Sequence, residues 1–300
     1  PPRSTLFPYT TLFRSLAAQN AVPEAEPVPL SGRRPAAVAA ASEVGSLHDF
    51  PRGAEAGTFL HDLLEAVARQ GFGIGAGDQA LRRDMIARRC QARGWVRWIE
   101  QLTVWQQHFL STPMQLGAVP GSPATAIRLC ELDASMAEME FWLAVHGVAT
   151  TRIDALVCQH TLDGAPRPAL QPAQLNGMLK GFMDLLFEHQ GRYYVADYKS
   201  NWLGPDDAAY TAAAMRAAIL HARYDLQYVL YLLALHRLLK SRLPDYDYDR
   251  HVGGAVYLFL RGAYAPSQGL HFERPPRALI EALDALFARC GGREIAGALQ

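Results

Sequence analysis

Cysteine is scarce and scattered: the 300 residues hold four, Cys90, Cys130, Cys158 and Cys290, with no Cys-x-x-Cys pair. That spacing argues against a zinc site and against a disulfide framework. Surplus charge is absent too, since 29 basic and 29 acidic residues give a formal net charge of zero. A free-standing nucleic-acid binder carries a net basic footprint, so any such affinity here has to come from a local groove or from partners. There is no run of about 18 apolar residues and no charged-then-apolar leader, so neither a membrane span nor a signal peptide is expected, and a cytoplasmic location follows. No Gly-x-x-x-x-Gly-Lys-Ser/Thr phosphate loop occurs, which excludes ATP-driven unwinding by this chain.

What is present suits a folded enzyme domain. Half of the residues are hydrophobic and 19% are charged, enough for one large core and one main domain, placed over residues 46–300. Residues 16–45 are rich in Ala, Pro, Ser and Glu without a sustained apolar period, the pattern of a disordered linker. Residues 1–15, PPRSTLFPYTTLFRS, fit no structural register. They resemble translated sequencing-adaptor sequence, a non-native segment excluded from fold reasoning.

The most informative segment runs from Lys180 to Lys199. Lys180–Glu188 and Arg192–Tyr198 are two runs rich in Phe, Leu, Tyr and Val, separated by His189-Gln190-Gly191, which predicts a β-hairpin with glycine in the tight turn. Alternation along a strand points Asp197 and Lys199 the same way. With the turn centred near residue 190, Asp184 falls almost opposite Asp197. Two carboxylates that close repel unless a cation neutralises them. Magnesium is the expected one, a hard ion that takes a few carboxylates and keeps several waters. The competing reading is a cross-strand Asp184–Lys199 ion pair on a solvated sheet face, which contributes little.

Around the hairpin the coarse order is helix, three strands, helix, strand. Thr58–Gln70 carries Phe59, Leu60, Leu63, Leu64 and Val67 at helical spacing, and Gly71–Gly77 ends that helix. Gln79–Leu110 reads as one or two further helices with Trp95, Trp98, Ile99, Leu102 and Trp105 as a core stripe. Ala137–Val145 alternates as a half-buried strand, and a Pro-rich irregular insert covers 163–176. Ala208–Lys240 is helical with a break near Arg223-Tyr224, and Ala255–Leu260 is a continuous apolar run suited to a central buried strand. His221, His236 and His251 read as surface or core histidines.

Taken together, Met178-Leu-Lys-Gly-Phe-Met-Asp-Leu-Leu-Phe and Tyr193-Tyr-Val-Ala-Asp-Tyr-Lys-Ser-Asn-Trp-Leu-Gly204 resemble the C-terminal nuclease domain of RecB, the nuclease-bearing subunit of the RecBCD (exonuclease V) enzyme. Further matches are Phe50-Pro-Arg-Gly53, Gly57-Thr-Phe-Leu-His61 with Leu64-Glu65, Tyr224-Asp-Leu-Gln-Tyr228, Ala234-Leu-His-Arg237 and Gly253-Gly-Ala-Val-Tyr-Leu-Phe-Leu-Arg-Gly262. The resemblance spans Leu47 to the C-terminus in the family's order. It implies the PD-(D/E)XK restriction-endonuclease-like αβββαβ core, an α/β fold with a mixed central sheet flanked by helices, preceded here by extra N-terminal helices. It also implies a fragment of a longer product that lacks the helicase. Some related nucleases hold an iron–sulfur cluster with a cysteine group that includes a tight C-terminal trio; this chain lacks the trio, so no cluster is expected.

The resemblance implies roles residue by residue. Asp184 and Asp197 match acidic metal ligands, His61 matches an additional ligand, and the backbone carbonyl of Tyr198 completes the sphere while its side chain faces the core. Lys199 matches the lysine that stabilises negative charge near the attacking water. Gln227 and Tyr231, four apart on one helix face, match a Gln-x-x-x-Tyr pattern bordering the active site. Glu138 or Glu140 is a further candidate acid. The expected activity is Mg²⁺-dependent hydrolysis of DNA, chiefly of single strands delivered by a helicase, leaving a 5′-phosphate and a 3′-hydroxyl. RecC-like and RecD-like subunits and RecA are the implied partners. The alternative is a catalytically silent docking module that binds a RecC-like subunit and RecA, since the fold can outlive its chemistry.

Overall fold

The computed structural model describes residues 45–118 and 124–289. The adaptor-like residues 1–15, nearly all of the linker read over 16–45, and Cys290 lie outside the described residues. The first helix, α1 (Ala54–Gln70), buries Phe59, Leu60, Leu63, Leu64 and Val67, a stripe at three- and four-residue spacing that drives one face into the core. Gly71–Gly77 does not simply end it. Phe72–Gly77 forms a short helix, α2, with Phe72 buried; burial of one large aromatic side chain outweighs the low helix propensity of three glycines. α3 (Gln79–Ala92) starts where the Asp78 carboxylate accepts from the Leu81 amide at 2.8 Å. A 3₁₀ turn at Val96–Trp98 leads into α4 (Ile99–Ser111). Trp98, Ile99, Leu102 and Trp105 are buried, and Trp95 packs edge-on against Phe50 and Phe59.

After a small antiparallel pair, β1 (Met114–Leu116) and β2 (Thr125–Ile127), come β3 (Ala134–Ala149), α5 (Thr150–His160), β4 (Gln174–His189) and β5 (Arg192–Lys199). Then follow α6 (Ala212–Ala222), α7 (Tyr224–Arg242), the short α8 (Tyr248–His251), β6 (Val252–Phe259), β7 (Leu270–Glu273) and α9 (Arg277–Arg289). The expected helix, three strands, helix, strand order is therefore present, with α5 inserted after the first long strand and β7 and α9 added at the end. α5 escapes a periodicity reading because its apolar contacts to the core are few, mainly Ile153 and Val157. The break near Arg223-Tyr224 is there: Arg223 sits in the left-handed region at φ 56 between α6 and α7.

The main sheet runs β3-β4-β5-β6-β7, antiparallel except for the parallel β5–β6 pair. A parallel pair needs a long crossover, and α6 to α8 supply it. One face packs against α5, α6, α7 and α9, the other against α1 to α4, giving two apolar clusters on either side of the sheet. This double cover explains why every residue of β6 is buried and why its sequence shows no alternation. The β4–β5 hairpin closes through Gln190 and Gly191, both with positive φ (53° and 76°), the two-residue turn whose twist matches the strands and which glycine adopts at no steric cost.

Candidate active site

The hairpin register brings the two acids to adjacent strands. Pairing runs from His189↔Arg192 to Leu185↔Ala196, and Asp184 lies one step beyond, with its Oδ2 accepting the Tyr198 amide at 2.7 Å. Asp197 and Lys199 share a face, as alternation requires, and Lys199 Nζ lies 2.5 Å from Asp197 Oδ2. The competing cross-strand pair is not formed: among the described residues Asp184 contacts His61, whose Nδ1 is 3.4 Å from Oδ2. His61 reaches the hairpin because α1 comes close to the end of β5. A Cβ on Gly57, one turn before His61, would stand 2.8 Å from Ser200 Oγ.

A second set of contacts descends from the crossover helix. Gln227 on α7 accepts from Lys199 Nζ at 2.8 Å and donates to the Tyr231 hydroxyl at 2.7 Å. Tyr231 donates in turn to Asp197 Oδ1 at 3.3 Å. The loop Asp197–Lys199–Gln227–Tyr231 is thus closed on itself. Two tyrosines that sequence reasoning did not single out join it. The Tyr257 hydroxyl donates to Gln227 Oε1 at 3.0 Å, and the Tyr224 ring lies 3.9 Å from Lys199 Nζ. Asp197↔Tyr257 is a register pair of β5 and β6, so the available signal was a tyrosine within an otherwise apolar strand whose hydroxyl needs a buried partner.

Burial and neighbouring charge set the ionisation of these groups. Burial pushes the Asp197 carboxyl up to about 6; the Lys199 charge opposes this and the Asp184 carboxylate adds to it. Burial works against a charged Lys199, yet Asp197 and the Tyr224 phenol outweigh it, so Lys199 remains an ammonium. For His61 burial also opposes the charge, but Asp184 and then Asp197 prevail and its pKa is raised. Burial holds Tyr231 well above the ordinary phenol range, so it stays a neutral donor.

Tyr198 places its side chain in the core, edge-on to His61 and Phe109, which leaves only its backbone to face the acids. Glu138 and Glu140 prove unlike. Glu140 is exposed, paired with Lys180 at 3.1 Å, and accepts from Trp142 Nε1 at 2.5 Å. Glu138 adopts a φ of 50° opposite Asp184, where the alternation of β4 breaks so that Met183 packs on one face of the sheet and Leu185 on the other. Burial raises its pKa, with Asp184 and Glu65 adding and His61 opposing. Of the two acids, Glu138 is the one in the electrostatic field of the site. His236 is buried and bonded to the Tyr246 hydroxyl at 2.8 Å, and His251 is tied to Asp247, away from this chemistry.

Among the described residues no group of three or more His, Cys, Asp or Glu stands close enough to form a metal cage. The donors nevertheless suit a hard cation. Asp184, Asp197 and His61 stand together, with Asp197 Oδ2 buried and ion-paired to Lys199 Nζ at 2.5 Å. Burial and the neighbouring Asp184 carboxylate both disfavour the Asp197 charge, a cost that a cation held between the two acids relieves. Oxygen donors with one imidazole fit magnesium or manganese better than a soft metal.

The fold and site define a class, and comparison with known proteins agrees. A family model for the PD-(D/E)XK nuclease superfamily matches residues 39–298, and the chain belongs to that superfamily. It is similar to the RecBCD enzyme subunit RecB of Escherichia coli, 42% identical over 247 residues that cover 80% of this chain and 20% of that protein. The subunit of the same name in Haemophilus influenzae is 37% identical over 245 residues (80% of this chain, 19% of that protein). That of Mycobacterium tuberculosis is 29% identical over 268 residues (80% and 24%). The chain spans about a fifth of the length of these relatives. None of the helices among the described residues is long and apolar enough to cross a membrane.

Proposed function

We propose that the chain, through residues 46–300, is the nuclease portion of a RecBCD-type enzyme, a Mg²⁺-dependent deoxyribonuclease of the exonuclease V kind. On this reading it acts in the cytoplasm on single strands delivered by a helicase, with RecC-like and RecD-like subunits and RecA as partners. Residues 16–45 would tether it to the rest of a longer product. The observation that carries the reading is the convergence of Asp184, Asp197 and His61 beside the Lys199 ammonium, with the Asp197 carboxyl raised by burial and by the Asp184 carboxylate. A structural ion pair does not need the second carboxylate, whereas a metal-dependent hydrolase does.

Asp184, Asp197, His61 and the Tyr198 carbonyl would hold the ion. When bound, it polarises the scissile phosphate and lowers the pKa of a water. Lys199 is a fixed positive charge beside Asp197, suited to stabilise the negative charge that develops on the phosphate. Because it stays protonated, it acts as an electrostatic stabiliser and donor rather than as a base. Gln227 and Tyr231 hold that ammonium and the Asp197 carboxylate in register, so little reorganisation is needed during the reaction.

Cleavage of end-labelled single-stranded DNA in low salt, with magnesium or EDTA and beside an Asp197→Ala control, tests the proposal. Magnesium-dependent cutting that disappears in the variant is the expected result. The silent docking module is the second reading. Absence of cutting together with absence of Asp197-dependent magnesium binding would favour it.

A further inference from the structure

Beyond the site, the antiparallel β3–β4 pair carries a bare sheet face. Phe141, Leu143, Leu179 and Met183 point into the core on one side. On the other side Trp142 and Phe182 are exposed, at 48% and 41%, with Met178 at 38%. Trp142 pairs directly with Lys180, and Glu140 with Phe182, so these four side chains share one face. Lys180 Nζ sits 4.9 Å from both ring centroids, while Glu140 bridges the ammonium and the indole N–H. The two rings are therefore held in place rather than loosely displayed.

We propose that Trp142, Lys180 and Phe182 form a stacking platform for the bases of single-stranded DNA running to the active site. The proposal rests on the nuclease reading for the direction of the strand, and on this face for the contacts. Phe182 precedes Asp184 by two residues, about 7 Å of strand, and Lys180 with its partner Trp142 lies about 13 Å away. At about 3.4 Å per stacked nucleotide, the rings meet bases about two and four nucleotides from the phosphate at the metal site. Exposed aromatic side chains with a cation between them are the usual means of holding single strands without sequence preference. A protein partner is the poorer fit, because the patch centres on a Lys–Glu pair and protein interfaces deplete both residues at their cores. Since Glu140 partly neutralises Lys180, the platform works mainly through stacking. That accommodates a domain with no net charge.

The test is binding of oligo-dT to the full chain in EDTA, followed by anisotropy, with cleavage kinetics in magnesium. Trp142→Ala and Phe182→Ala should each weaken binding about fivefold or more. KM should rise while kcat is kept, and Trp142→Phe should restore most of the affinity. Substrates that extend only one nucleotide from the cut bond should be insensitive to both changes. Unchanged oligo-dT affinity in both alanine variants overturns the proposal and leaves the face to a protein partner; failure of the unaltered chain to bind oligo-dT overturns it as well. If binding falls in the variants but the unaltered chain neither cuts nor binds magnesium through Asp197, the platform stands and the nuclease reading fails.

Discussion

Lys199 Nζ lies 2.5 Å from Oδ2 of Asp197, two residues back on the same strand, and both side chains are buried. Neither group is spent on the other alone. Gln227 accepts a second hydrogen bond from Lys199 Nζ and Tyr231 donates to the other Asp197 oxygen, so the pair is held from the crossover helix while Asp184 and His61 approach it from the hairpin side. The consequences can be measured.

Metal affinity should fall with acid. Asp197 titrates near 6 against an ordinary value of 3.8, chiefly because burial disfavours its charge. A group raised in this way contributes stability to the metal-free fold that is fully present below about pH 4 and is lost as pH rises through about 6. A bound cation requires the charged form, so its affinity should rise with pH over that window and level off above it. Deprotonation of His61, also raised, adds to the trend. Calorimetric magnesium titrations across this range should show about a tenfold loss per pH unit on the acid side. Affinity independent of pH would contradict the assignment of Asp197.

Tyr231→Phe removes the hydroxyl that joins Gln227 to Asp197 while keeping the ring against Phe141. That hydroxyl makes two buried hydrogen bonds, worth together about 2 kcal/mol. We expect the melting free energy to drop by about that amount and kcat to fall up to about tenfold, with KM little changed. A large KM effect would place Tyr231 in substrate binding instead.

The break between α6 and α7 is held by charge. Arg223 bonds Asp225 and Asp154, and Arg167 closes the network on Asp225, which is completely buried. Removing one partner of a buried pair costs about 3–5 kcal/mol because it strands the other charge. Arg223→Ala should lower stability by that amount in urea unfolding and reduce activity as well, since this break sets Tyr224 and Gln227 over Lys199.

The parts of the site that are local in sequence were legible in it. Alternation alone put Asp197 beside Lys199, and the position of Gly191 put Asp184 on the facing strand. Helical spacing paired Gln227 with Tyr231. What could not be read depended on tertiary geometry. Tyr257 meets Gln227 only through parallel pairing of strands separated by a crossover. Glu138 differs from Glu140 because its left-handed backbone, opposite Asp184, breaks the period of two. α5 was missed because two buried apolar side chains on eleven residues leave too faint a period to distinguish from a loop.

Lys199→Ala separates catalysis from docking most directly, because Lys199 is not assigned to hold the metal. Single-turnover cleavage of single-stranded DNA by this variant at saturating magnesium should be slower by about 10²–10³-fold, the effect of losing one preorganised charge stabiliser, while calorimetry still shows magnesium bound. Cleavage at the unaltered rate would contradict the account.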